Sequence, residues 1–201
     1  MIYFIVTTSI FIDCDIRKRQ YIYGINTLLK KIKDLNILNY KIIIIENNGI
    51  RNTFLNNSEC EVYYTMNNFL TTNNKGIKEL QDILDCIDKY NINDTDFIVK
   101  MTGRYILNDN SEFKNIHNTK YDCVIKYGSY LTPVNYKIDD CITGLIGMSC
   151  LYVKQIEKPN ENECIEWKWG KVTRLIDDKK IYLVNNLGIN ICPGSNKYFM
   201  V

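Results

Sequence analysis

Two cations, a hydroxyl and a glycine stand close together in Lys100-Met-Thr102-Gly103-Arg104. They follow the apolar run Phe97-Ile-Val99, inside a stretch that opens at Asp96 and closes at Leu107. A short, wholly apolar run predicts a strand in the middle of a sheet covered on both faces. The polar groups behind it then occupy the strand's carboxyl end, which is the edge where open α/β sheets bind ligands. A lysine and an arginine beside a glycine suit an anionic, phosphorylated ligand. The same residues also suit a solvated turn.

Other elements must bring partners to that edge. Ile2–Val6 is β-branched and aromatic and reads as a buried first strand, with Thr7, Thr8 and Ser9 at its end. Those hydroxyls suit either turn chemistry or a phosphate contact. Arg17–Leu35 carries Ile22, Ile25, Leu28, Leu29, Ile32 and Leu35 on one helical face. Tyr40–Ile45 is a second apolar strand, ending in Glu46-Asn47-Asn48-Gly49. Strand, helix and strand at this spacing make a right-handed parallel crossover, which sets the two strand ends side by side. Glu61–Thr65 is a third, short strand. After it, Asn74-Lys75-Gly76 opens a helix with Ile77, Leu80, Ile83, Leu84 and Ile87 on one face. A helix N-terminus beside a lysine suits phosphate, and Asn74 equally suits an N-cap.

Past Leu107 the pattern loosens. Tyr121–Tyr127 reads as a strand, and Cys141–Val153 as a strand pair or a strand kinked at Gly144 and Gly147. Glu163–Ile176 reads as a helix, with Ile181–Val184 and Ile189–Cys192 as late strands. The fold expected is α/β: one domain over residues 1–201, with a mostly parallel central sheet, helices on both faces and a smaller second half from residue 108.

The 201 residues suffice for one domain with a real core. A net charge of +2 with acids and bases interspersed excludes a nucleic-acid binder held mainly by charge. Eight cysteines without a Cys-x-x-Cys pair, and a single histidine, His117, point to reduced thiols rather than disulfides or zinc. His117 reads as a surface loop residue. No apolar run approaches the ~20 residues that span a membrane, and Ile2–Val6 is too short for a secretory signal, so a cytoplasmic location is expected.

The order of parts resembles the GT-A fold of nucleotide-sugar glycosyltransferases, with a Rossmann-like first half. The combination of Glu46-Asn-Asn-Gly, Asn74-Lys-Gly and Lys100-Met-Thr-Gly-Arg-Tyr also resembles uncharacterised glycosyltransferase-like proteins of large DNA viruses. The resemblance implies a nucleotide diphosphate sugar, such as a UDP or GDP sugar, held by residues 1–107. The donor-binding set would be Thr7, Thr8, Ser9, Glu46, Asn47, Asn48, Asn74, Lys75, Lys100, Thr102, Gly103 and Arg104. Residues 108–201 would hold a glycan, glycoprotein or other hydroxyl acceptor. The family's fourth strand usually ends in Asp-x-Asp, which binds a divalent metal on the diphosphate; here that place reads Thr102-Gly103-Arg104. Lys100 and Arg104 could supply the charge directly, so no Mn or Mg is expected, with Asp109 and Asp139 as the carboxylates left should one bind. The resemblance also implies a general base among Glu166, Glu163 and Asp140, with Glu166 first. Trp167 and Trp169 suit either sugar stacking or the core. Two other readings stand beside this one: a nucleotidyltransferase, and a non-catalytic nucleotide- or carbohydrate-binding protein on the same fold.

Overall fold

The structure is a computed structural model describing residues 1–10, 14–109, 112–116, 120–128, 134–192 and 198–201. The chain begins with β1 (Ile2–Thr8), α1 (Asp15–Asp34), β2 (Tyr40–Glu46), β3 (Glu61–Tyr64), α2 (Lys75–Lys89) and β4 (Phe97–Thr102). The second half contributes β5 (Ile106–Leu107), α3 (Phe113–Ile116), β6 (Cys123–Ile125), β7 (Leu145–Ser149), α4 (Cys150–Val153), α5 (Ile165–Val172), β8 (Ile181–Leu183), β9 (Ile189–Ile191) and β10 (Phe199–Met200).

Seven strands form one sheet in the order β3-β2-β1-β4-β7-β6-β8. All run the same way except β7, which is antiparallel to both β4 and β6. β1 sits between β2 and β4 in parallel register, with Thr8 opposite Glu46 and Thr7 opposite Thr102. The mostly parallel α/β sheet is therefore the architecture present. A second sheet, β10-β9-β5, packs beyond it.

Strand alternation sorts the core into two layers. Phe4, Val6, Ile44, Val99 and Met101 point to one face, where Tyr21, Ile25, Leu28 and Ile32 of α1 cover them. Tyr3, Ile5, Ile43, Ile45 and Ile98 point to the other, under Leu80, Ile83 and Ile87 of α2 and Ile165, Trp169 and Val172 of α5. Fully burying each such aliphatic side chain contributes about 1.5–3 kcal/mol. Asn74 caps α2, its Oδ1 accepting from Gly76 N–H at 2.9 Å. Gly24 lets α1 lie on the chain after β4: a Cβ there would come within 2.6 Å of the Tyr105 carbonyl oxygen and would also strike that of Gly103.

The structure departs from the sequence reading in three places. Thr7, Thr8 and Glu46 lie inside β1 and β2 rather than in turns beyond them. Cys141–Val153 holds one strand followed by the short helix α4, because Ser149 N–H turns aside to the Asp122 carbonyl and Cys150 N–H to that of Asp96. The helix expected over Glu163–Ile176 is α-helical only from Ile165 to Val172 and tightens to a 3₁₀ turn at Thr173–Leu175. All eight cysteines are free. Burial pushes the Cys86 thiol up to about 12 and that of Cys150 to about 11, so both stay protonated and pack as small apolar groups. His117 lies outside the described residues.

Candidate functional site

The carboxyl edge of the parallel strands gathers polar side chains on both faces of the sheet. On the α2 face they form one connected chain. Thr7 Oγ1 donates to Glu79 Oε1 at 2.7 Å, and the Lys100 ammonium lies 2.8 Å from that same oxygen. Lys100 also donates to Thr102 Oγ1 at 3.1 Å and to the Thr143 carbonyl at 2.7 Å. Thr143 Oγ1 in turn reaches Glu166 Oε1 at 3.4 Å. β1, α2, the segment before β7 and α5 each contribute one member, and β4 contributes Lys100 and Thr102. Lys100 is only 1% exposed, and its three N–H groups all have acceptors.

The α1 face carries a second network. Glu46 is fully buried and accepts from Thr8 Oγ1 at 2.8 Å, Asn48 Nδ2 at 2.6 Å and Arg51 at 2.9 Å, with Ile10 N–H at 3.1 Å. Asn48 also donates to Ser9 Oγ at 3.3 Å and accepts from Asn68 at 2.7 Å. The Tyr21 hydroxyl accepts from Ser9 N–H at 3.0 Å. Burial raises its pKa, while the Arg104 guanidinium opposes that rise and Glu46 adds to it, so both charges act on the same phenol. Arg104 donates to the Cys192 carbonyl and stacks over the Tyr105 ring at 5.4 Å.

A third cluster ties the loops after β2 and β3 to α2. Asp82, 1% exposed, accepts from Asn47 Nδ2 at 3.0 Å, Thr65 Oγ1 at 2.5 Å and Asn67 Nδ2 at 2.9 Å. Burial raises its pKa to about 6 against those three hydrogen bonds.

The anticipated residues thus fall into groups. Thr7, Thr8, Ser9, Glu46, Asn48, Lys100, Thr102, Gly103 and Arg104 converge on one edge, with Asn47 beside them through Asp82. Gly103 has to be small: its N–H bonds the Thr7 carbonyl at 2.9 Å, and a Cβ would come within 2.9 Å of Val6 Cγ1. Several are engaged rather than open. Glu46 has four donors, so its carboxylate organises loops. Asn74 spends both ends of its amide, capping α2 and donating to the carbonyls of Asn160 and Glu163 at 2.8 and 2.9 Å. Lys75 is exposed in the first turn of α2.

The three carboxylates named as bases separate clearly. Glu166 reaches the Lys100 chain through Thr143. Glu163 Oε2 accepts from Asn160 N–H at 2.7 Å and lies 3.0 Å from Lys168, contacts that hold its carboxyl below the usual range and lock a loop. Asp140 is fixed through its backbone, its carbonyl accepting Gly128 N–H at 3.2 Å while Gly170 of α5 packs against its amide. Trp169 is buried in the core and Trp167 is exposed.

The sequence reading missed Glu79, Thr143 and Asp82. Each had a faint signal: Glu79 and Asp82 flank Leu80 and Ile83 on the apolar stripe of α2, and Thr143 sits between Ile142 and Gly144.

The donor set does not fit a divalent metal at this edge. Thr102 Oγ1 accepts from Lys100, Gly103 has no side chain, Arg104 is a cation, and Glu79 is paired with an ammonium. Among the described residues no group of three His, Cys, Asp or Glu side chains is arranged to hold a metal ion. Asp109 is 3.0 Å from Lys31 in the last turn of α1, at the opposite edge of the sheet. Asp139 binds Arg174 through both oxygens, at 2.7 and 2.9 Å. A surface hollow of about 650 Å³ lined by Asp88, Asn91, Asp94 and Lys154 also lies at that opposite edge, away from this chemistry.

No protein-family model and no curated protein matches the sequence. Three solved structures align with most of the chain. A glycosyltransferase involved in the glycosylation of the major capsid of PBCV-1 aligns over 92% of this chain and 82% of its own, at 10% identity and a TM-score of 0.46. A197 from STIV aligns over 94% and 83%, at 12% identity and 0.44. A protein of Desulfovibrio desulfuricans G20 described as a nucleotide-diphospho-sugar transferase aligns over 91% and 79%, at 9% identity and 0.45. No helix among the described residues is long and apolar enough to cross a membrane.

Proposed function

We propose that this protein is a glycosyltransferase that moves a sugar from a nucleotide diphosphate sugar to a hydroxyl acceptor without a diphosphate-bound metal. The observation that carries the reading is the continuous chain Thr7–Glu79–Lys100–Thr143–Glu166 along the carboxyl edge of a mostly parallel sheet. It sets a carboxylate on the second half of the fold beside the edge where such sheets take nucleotides.

In this reading the acceptor oxygen forms a bond to the sugar's C1 as the bond from C1 to the diphosphate oxygen breaks. Glu166 takes the acceptor's proton, and the nucleoside diphosphate leaves with the bonding pair. Because Glu79 balances Lys100, the positive field on the leaving diphosphate falls to Arg104, to Lys75 and to the N-terminus of α2. Lys100 fixes the edge: it holds Glu79 on one side and the Thr143 backbone, and through it Glu166, on the other.

Heat stability in the presence of nucleotides tests the reading. A rise with UDP or GDP is the expected result. A rise with nucleoside triphosphates alone would favour nucleotidyl transfer, and none with any nucleotide would favour a protein that does not bind donors.

A further inference from the structure

Lys100 and Lys126 both stand near the carboxyl ends of the parallel strands β4 and β6, Lys100 inside β4 and Lys126 directly after β6, with their side chains on opposite faces of the sheet. Only β7 lies between those strands, so the two backbones are about 10 Å apart. Both side chains are buried, Lys126 at 2% exposure. Their surroundings differ. Lys100 has a carboxylate, a hydroxyl and a carbonyl on its three N–H groups. The Lys126 ammonium donates to one carbonyl, that of Asn185, at 3.0 Å. No carboxylate pairs with it among the described residues. Desolvation alone pushes its pKa below the usual lysine value.

Lys126 directly follows β6, and the strand's alternation carried one residue further puts its side chain on the same face as Val124, towards the core that also holds Ile142, Val184 and Leu187. An ammonium here carries a desolvation cost that a methionine of similar length would not. Among the described residues its one acceptor is that carbonyl, whereas an ammonium has three N–H groups to donate. Asn185 is itself exposed, so the head group stands one residue beneath the surface.

We propose that Lys126 is an anion-binding residue that receives a carboxylate or phosphate group of a ligand seated on the second half of the edge. The site is separate from the one that would hold the diphosphate, and it stands whether or not the protein transfers sugars.

The test follows the Lys126 side chain directly. In protein labelled with ¹³C at lysine Cε, its NMR signal is identified by its absence in Lys126→Arg. The signal is then titrated with pH in the presence of inorganic phosphate or of acetate. At least one anion should shift the signal and raise its midpoint by about one pH unit or more, as an opposite charge within hydrogen-bonding reach does. A response to phosphate alone assigns a phosphorylated ligand, and a response to acetate assigns a carboxylate. Lys126→Met should melt higher than wild type in anion-free buffer. A signal indifferent to both anions, or a Lys126→Met variant that melts lower than wild type, would overturn the proposal, because lysine would then be needed only for its bond to Asn185.

Discussion

Glu79→Gln is the substitution that tests the architecture of the edge most sharply. It keeps the shape of the side chain and removes the carboxylate paired with a lysine that is 1% exposed. Breaking a buried ion pair from one side costs about 3–5 kcal/mol, because the partner stays charged and dry. The Glu79 side chain is 24% exposed, so water already screens part of the attraction, and about 2–3 kcal/mol is the appropriate expectation. For a chain of this length that corresponds to a fall in Tm of about 4–12 °C. The reverse change, Lys100→Met, leaves a carboxylate that can turn to solvent and should cost less. The double variant Glu79→Gln/Lys100→Met strands neither charge and should recover to within about 1 kcal/mol of wild type. Urea unfolding of the four proteins supplies the cycle. If Glu79→Gln unfolds within about 0.5 kcal/mol of wild type, or if the two single losses simply add, the pair does not hold the edge together and the reasoning fails.

Three further outcomes are expected. Asp82 titrates near 6 in the folded chain, above the usual carboxylate value, so the folded state binds its proton more tightly than the unfolded state. Its contribution to stability is therefore full below about pH 4 and is lost as pH rises through 6, by about 3 kcal/mol. Asp82→Asn should flatten that part of the pH–stability curve, read by urea unfolding between pH 4 and 7.5, and an unchanged slope would count against it. Gly24→Ala should destabilise by about 3 kcal/mol, since its new Cβ meets backbone oxygens that cannot step aside, and a thermal melt would show this. Glu166→Gln should lower sugar transfer by about 10²–10⁴ while nucleotide affinity stays as in wild type, and transfer at the wild-type rate would remove Glu166 from the chemistry.

Much of the first half was legible in the sequence because its signals are local. The apolar runs of β1, β2 and β4 and the stripes of α1 and α2 each declare themselves within one element, and the crossover rule then orders the strand ends. What was not legible depends on contacts across the chain. Thr7 meets Glu79 at a separation of 72 residues, and Lys100 meets Thr143 at 43, so no window shows either pair. An apolar run carries no sign of direction, which hid the antiparallel course of β7. β5 and β10 are two residues long, too short for any periodicity. The hydrogen-bonding groups of Glu46 and Asn74 looked available for a ligand in the sequence, and only the fold reveals the donors and carbonyls that take them up.

The central claim is donor chemistry at this edge, and the most direct measurement is release of nucleoside diphosphate from a panel of UDP and GDP sugars, with and without EDTA. The account predicts that at least one donor is turned over, that EDTA leaves the rate unchanged, and that Glu166→Gln binds that donor but transfers poorly. Failure of every sugar donor to be bound or cleaved, or activity that disappears with EDTA and returns with Mn²⁺, would contradict it.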